Sequence, residues 1–210
     1  MKKTVSGLYA VTPDLADTAL LLELTRAALA GGARFFQYRN KIADESLRLE
    51  QASALRALCR DCDATLIIND HVDLAYEIDA HGVHVGADDA AVATARARLG
   101  PDKIIGASCY NTMQRARDAA AQGADYVAFG SFFASPVKPG AVRAPLSLLR
   151  EARQQVALPI VAIGGITDAN GPALVAAGAD AIAVISALFA APDVEAAARE
   201  FCRMFTAESA

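Results

Sequence analysis

The sequence predicts an α/β protein built as a single (β/α)8 (TIM) barrel, and three observations predict it. Short apolar segments alternate with longer Ala/Leu-rich ones from end to end, giving eight strand–helix units. Alternation of this kind argues for a parallel sheet, and eight repeats favour closure over an open doubly wound sheet. Three helical stretches run into glycine turns that launch the next strand, at Gly31-Gly32, Gly123 and Gly178, where a residue without Cβ ends a helix readily. The 210 residues are 54% hydrophobic with 6% aromatics and no Trp, so Ala, Val, Ile and Leu must fill the interior, as suits helices packed on parallel strands. The competing fold is an open sheet with one strand miscounted.

The first strand is expected at Gly7–Val11 and is followed by a helix over Thr18–Ala30. The second, Arg34–Tyr38, runs on into Arg39-Asn40-Lys41 before a helix over Ser46–Arg60. Side chains alternate along a strand, so Gln37 and Arg39 share a face, and Lys41 joins them if the chain stays extended. A guanidinium fork and an ammonium at a barrel mouth suit an anion, because both grip phosphate oxygens. A surface salt bridge is the competing role for either charge alone.

The third strand, Thr65–Asn69, leads into Asp70, and the fourth, Gly82–Val85, leads into Gly86-Ala87-Asp88-Asp89. Adjacent strands lie about 4.8 Å apart, so carboxylates at their ends can approach one ion. Magnesium favours one or two carboxylates with waters and substrate phosphate oxygens, and Asp70 with Asp89 fits that pattern. Either Asp alone would serve as a helix N-cap, and spacing does not separate Asp88 from Asp89. His71 and His84 are given no role, since a lone strand histidine is more often a hydrogen-bonded core residue.

The fifth strand is expected at Lys103–Ala107 and the sixth at Tyr126–Phe129. The segment after the sixth, from Gly130 to Gly140, is long for a strand–helix connection, and such loops often carry function. Lys138, held between prolines, can lean over an anion there or simply be solvated. The seventh strand, Ile160–Ile163, meets Gly164-Gly165-Ile166-Thr167, and the eighth, Ala181–Ile185, meets Ser186 before a last helix near Val194–Phe205. Loops after strands seven and eight are the recurrent phosphate site of this fold. Paired glycines let backbone N–H groups approach phosphate oxygens, although a plain turn would use them too.

Other features bound the function. A formal net charge of −4 gives no basic face for nucleic acid. Cys59, Cys62, Cys109 and Cys202 do not space as a disulfide framework, and the Cys59-x-x-Cys62 pair reads as helix packing, not as a metal or redox site. Met1-Lys2-Lys3 begins like a signal peptide, but Pro13, Asp14 and Asp17 interrupt any apolar run. No stretch approaches the ~18 apolar residues of a membrane span. One cytoplasmic domain over residues 1–210 is therefore expected.

With these residues placed, the chain resembles the thiamine-phosphate synthase family from Gly7-Leu8-Tyr9-Ala10-Val11-Thr12 to Ile185-Ser186. Gln37, Arg39 and Lys41 match its Gln-x-Arg-x-Lys motif, and Asn69-Asp70 its Asn-Asp pair. His84, Gly86 and Asp89 match its His-x-Gly-x-x-Asp stretch, Gly106 and Ser108 its Gly-x-Ser, Lys138 its loop lysine, and Gly165 and Ile185-Ser186 its last two turns. The resemblance implies that 4-amino-5-hydroxymethyl-2-methylpyrimidine diphosphate couples to 4-methyl-5-(2-phosphoethyl)thiazole, or its carboxylated form, giving thiamine phosphate and pyrophosphate. Gln37, Arg39, Lys41, Asn69, Ser108 and Lys138 would then hold the pyrimidine diphosphate, with Arg39, Lys41, Ser108 and Lys138 catalytic. Asp70 and Asp89 would hold Mg2+. Ser135, Pro136, Val137, Gly165, Ile185 and Ser186 would hold the thiazole phosphate, and the assembly would be a homodimer.

Two departures bear on the thiazole side. Ala87 stands where the family usually has Gln, and Ser135-Pro136-Val137-Lys138 where it often has Thr-x-Thr-Lys. Val137 can offer only a backbone amide. A thiazole tautomerase or a non-catalytic thiamine-precursor sensor on the same barrel are the alternatives, and an intact cationic and carboxylate set speaks against both. An aldolase would need a Schiff-base lysine inside a strand, whereas Lys41 and Lys138 fall in loops and Lys103 at a strand start.

Overall fold

The computed structural model describes residues 5–86, 92–134 and 142–206. Its elements are, in order, β1 (Gly7–Val11), α1 (Thr18–Ala30), β2 (Phe35–Tyr38), α2 (Glu45–Asp61), β3 (Thr65–Asn69), α3 (Val72–Glu77), β4 (Gly82–Val85) and α4 (Val92–Leu99). There follow β5 (Ile104–Tyr110), α5 (Met113–Ala121), β6 (Tyr126–Gly130), α6 (Leu146–Gln155), β7 (Ile160–Ile163), α7 (Gly171–Ala176), β8 (Ala181–Val184), α8 (Ser186–Phe189) and α9 (Val194–Arg203). All eight strands are parallel and close in sequence order, with β8 paired back onto β1. The expected barrel is the observed one.

Local chemistry explains where the helices start. Asp17, Asp44 and Asp193 each accept a backbone N–H of the first turn, at Leu20, Leu47 and Ala196, satisfying donors that have no partner inside the helix. The strands are short and buried on both faces, as a parallel sheet requires. Several boundaries shift by a residue or two from the sequence reading, and two of the shifts bear on the site. β5 continues past Ala107 to Tyr110 through a register shift between Ser108 and Tyr110, and β8 stops at Val184, so that Ile185 leaves the sheet to cap α8.

Two apolar layers result. Between sheet and helices lie residues such as Leu21, Leu55, Leu66, Ile105, Leu149 and Phe201. Inside the barrel Tyr9, Phe35 and Tyr126 meet edge to face, with ring centroids 4.6 to 6.3 Å apart. These large rings fill the interior beside the start of β6, whereas past Tyr126 β6 contributes only Ala128, and β8 only Ala181 and Ala183, to that cluster. Space is therefore left open toward the strands' C-terminal ends, beside β6–β8.

The opposite, N-terminal end is closed by a repeated device. Gly123-Ala124-Asp125 precedes β6 and Gly178-Ala179-Asp180 precedes β8. Asp125 accepts the N–H of Ile105 at 2.8 Å and Asp180 that of Ile160 at 2.7 Å. Arg96 bonds both Asp125 and the Gly123 carbonyl, and Arg153 bonds both Asp180 and the Gly178 carbonyl.

The Cys59-x-x-Cys62 pair divides. Cys59 is buried under α2, where burial pushes its thiol up to about 12, and Cys62 is exposed at the helix end. No helix among the described residues is long and apolar enough to cross a membrane.

Candidate active site

A cavity of about 620 Å³ opens at the C-terminal end of the barrel, lined among others by Tyr9, Gln37, Arg39, Asn69, His84 and Ser108. A second recess of about 140 Å³ adjoins it beside β7 and β8, between Ala134, Gly165, Thr167 and Ser186. The two share Ile163, Gly164, Ala183 and Ile185, so a ligand in each would meet over one wall.

The floor of the larger cavity is polar but neutral. Gln37, only 5% exposed, donates from Nε2 to the Tyr9 hydroxyl at 2.8 Å. Tyr9 and Tyr126 hydroxyls lie 2.9 Å apart, and Tyr126 meets His84 Nδ1 at 2.9 Å. His84 Nε2 meets Ser108 Oγ at 2.9 Å. Burial raises both phenols well above their ordinary value and drives the His84 imidazole down to about 4, because a low-dielectric surrounding disfavours charged forms. At neutral pH these floor side chains carry no charge.

The rim is charged. Thr12 clips the end of β2 onto β1, its Oγ1 donating to the Arg39 carbonyl and accepting the Arg39 N–H, each at 2.9 Å. Asp14 then takes the Arg39 guanidinium, Nη1 lying 3.0 and 3.2 Å from its two oxygens, and the Lys41 N–H at 2.8 Å. Asn40 turns inward, donating to the Leu15 carbonyl and to Gln51, a fully buried glutamine that also accepts the Tyr38 hydroxyl. That buried lattice anchors the turn carrying Arg39 and Lys41. The chain does not stay extended: β2 ends at Tyr38 and bends at Lys41. Lys41 consequently points along the rim, and its Nζ lies 2.7 Å from Asp70 Oδ2.

Asp70 adopts a left-handed backbone (φ 65°) held by its N–H bond to the His84 carbonyl, which commits β3 to β4 at the point where the chain turns out. Its Oδ2 accepts Asn69 Nδ2 at 2.6 Å as well as Lys41. Among the described residues no three His, Cys, Asp or Glu side chains gather as a metal cage. A cation of the magnesium type needs only one or two carboxylates and takes its other ligands from water and phosphate. Asp70, a hard oxygen donor on the rim beside the cavity, fits that need. Ala87, Asp88 and Asp89 lie outside the described residues, as do Ser135, Pro136, Val137 and Lys138.

On the far rim Gly164 and Gly165 have φ of 106° and 64°. A Cβ on Gly164 would sit 2.0 Å from Ser131 Oγ, and one on Gly165 would sit 2.2 Å from the Ala134 carbonyl. The missing side chains thus make room for the segment after β6, a reason the sequence reading did not foresee. Ser186 starts α8, and the first N–H groups of any helix have no acceptor within it.

Gln37, Arg39, Asn69 and Ser108 line one cavity, Asp70 adjoins it through Asn69, and Lys41 joins through Asp70; Gly165, Ile185 and Ser186 line the smaller recess. The sequence reading missed Tyr9, Thr12, Asp14, Tyr110, Arg115, Tyr126 and Ser131, and left His84 without a role. Tyr126 begins its strand, so a search of strand ends passes over it, yet its ring reaches the floor. Tyr110 and Arg115 stand at the mouth, the guanidinium carbon 4.8 Å from the ring centre.

Comparison with known proteins agrees with this geometry. The thiamine monophosphate synthase family profile matches residues 8–188. The chain is 56% identical over 201 residues to a thiamine-phosphate synthase of Methylobacillus flagellatus, covering 96% of each chain. It is 53% identical over 208 residues to one of Thiobacillus denitrificans, covering 99% of each. Among solved structures, a thiamine phosphate pyrophosphorylase from Pyrococcus furiosus superposes with a TM-score of 0.86 at 36% identity, covering 97% of both chains. Matches of that length and identity place the chain in the thiamine monophosphate synthase family.

Proposed function

We propose that this chain is a thiamine-phosphate synthase, a transferase joining the pyrimidine diphosphate to the thiazole phosphate with release of pyrophosphate. The observation that carries the reading is one rim on which Arg39, Asn69, Asp70 and Lys41 adjoin Ser108 above a neutral floor, beside a smaller backbone-lined recess.

The 4-amino-pyrimidine feeds electrons toward its exocyclic carbon, so the C–O bond to diphosphate breaks with both electrons leaving on oxygen. The thiazole nitrogen lone pair then forms the C–N bond. What the protein must stabilise is charge gathering on the departing diphosphate, and prealigned donors do this best where water is scarce. Arg39, prealigned by Asp14, and Lys41 supply positive charge; Asn69 and Ser108 supply neutral donors. Asp70, with Asp89, would hold Mg2+, which when bound offsets diphosphate charge. Gln37 meets the pyrimidine edge from the floor. Gly165, Ile185 and Ser186, with Ser135, Pro136 and Val137, would take the thiazole phosphate in the smaller recess. Lys138 would lean over the diphosphate. No covalent nucleophile is required.

Mixing the protein with both phosphorylated precursors and Mg2+ should release pyrophosphate and form thiamine phosphate together. Binding of both precursors without turnover would replace this reading with a sensor. Family resemblance also supports a single-domain cytoplasmic homodimer, and a monomer mass by sedimentation at micromolar concentration would exclude the dimer.

A further inference from the structure

The floor chain Gln37–Tyr9–Tyr126–His84–Ser108 has a direction, and that direction fixes what Ser108 can do. An amide nitrogen can only donate, so Gln37 makes the Tyr9 oxygen an acceptor. Tyr9 carries a single proton, and its one other polar partner among the described residues is Tyr126; its proton therefore goes there. Tyr126 likewise has one proton left, and the acceptor within reach is His84 Nδ1. A neutral imidazole whose Nδ1 accepts carries its hydrogen on Nε2, which donates to Ser108 Oγ. The Ser108 hydroxyl hydrogen is then left over and turns to the cavity that Ser108 lines. A departing diphosphate oxygen is an acceptor only.

We propose that Tyr9, Tyr126 and His84 are positioning residues that hold Ser108 as an outward hydrogen-bond donor to the leaving diphosphate, which rests on the transferase reading above. Two features of the backbone support the arrangement. Strand alternation along β5 packs Cys109 into the outer core and faces Ser108 to the mouth, and Ser108 stays in register with Ala128 before the shift toward Tyr110. At Gly106 an added Cβ would lie 1.9 Å from Tyr126 Cζ and 2.3 Å from its hydroxyl. The glycine two residues before Ser108 therefore seats the phenol that sets the histidine tautomer. Glycine and serine of that motif act on one hydrogen bond.

The test has two readouts. In ¹⁵N-histidine NMR of the ligand-free protein, His84 should be the Nε2–H tautomer, and Tyr126→Phe should shift it toward a mixture; an Nδ1–H tautomer in the unmodified protein overturns the relay whatever the enzyme's activity. In kinetics, Tyr126→Phe should lower kcat by roughly 10-fold, with KM for the pyrimidine diphosphate changed less than about threefold. Repeated in a Ser108→Ala background, the same substitution should cost less than about twofold, because the group it orients is gone. Equal losses in both backgrounds would mean a merely structural role. His84→Gln should retain more turnover than His84→Leu if donation to Ser108 is what matters; equal values count against the relay. Absence of turnover in the unmodified protein fails the transferase reading alone and leaves the tautomer result standing.

Discussion

The two ends of the barrel use the same kinds of side chain for opposite purposes. At the N-terminal end each charge is spent on protein: Asp125 and Asp180 take one arginine and one strand N–H each, and those arginines also bond glycine carbonyls. At the C-terminal end the networks stop short. Arg39 is held by Asp14 yet still lines the cavity, and the floor chain ends on a serine with a hydrogen to spare. A closed polar network fixes strands; an open one leaves groups prealigned for a ligand. The difference lies in connectivity, not in composition.

That contrast can be broken most sharply at Asp70. Asp70→Ala should lower turnover by about 10²–10³-fold, roughly 2.7–4 kcal/mol of barrier, with the thermal unfolding midpoint hardly changed. Unaltered activity in a steady-state assay would move Asp70 out of the site.

The next largest effect is on the floor and concerns pH. His84 is held at about 4 in the folded chain against 6.5 unfolded. Below pH 6.5 the unfolded chain takes up a proton that the native one refuses, so stability falls as pH drops toward 4 and levels off below it. The loss amounts to about 3 kcal/mol. Urea titrations across that range should show it, and His84→Gln should flatten this part of the profile.

At the closed end, Asp180→Ala strands the Ile160 N–H and releases Arg153. It should cost about 1–3 kcal/mol of stability while kcat at 20 °C below the melting point stays within about twofold. A drop in kcat without loss of stability would erase the distinction between the ends. The smallest effect is expected at Asp14. Asp14→Ala frees the Arg39 guanidinium without removing it, and kcat should fall by about 10-fold, or 1.4 kcal/mol, with partial recovery in Asp14→Asn.

Much of the fold was legible in advance because strand and helix periods are local. Five-residue apolar runs such as Thr65–Asn69 and the capped amphipathic stretch Thr18–Ala30 were read with the bounds the structure has. The bulge in β5 was not, since Cys109 and Tyr110 continue the apolar pattern and only pairing with β6 shows the slipped register. Arg39 and Asp70 were legible because polar residues at strand ends stand out against Val and Ile, whereas Ser108 and the role of Asn69 entered only through the family resemblance. Tyr9 and Tyr126 were not, because a tyrosine within a strand looks like core, and the distance its hydroxyl spans depends on the glycine across from it.

The sequence by itself determined the eight-fold alternation, the short parallel strands and the rim on which charge collects, because each follows from neighbours along the chain. Only the tertiary structure decided that Lys41 reaches Asp70, that Asp14 aligns Arg39, and that residues as far apart as Tyr9 and Tyr126 share one hydrogen-bonded floor. Those contacts join strands distant in sequence, and a hydrogen bond is fixed by a few tenths of an ångström that no spacing pattern records.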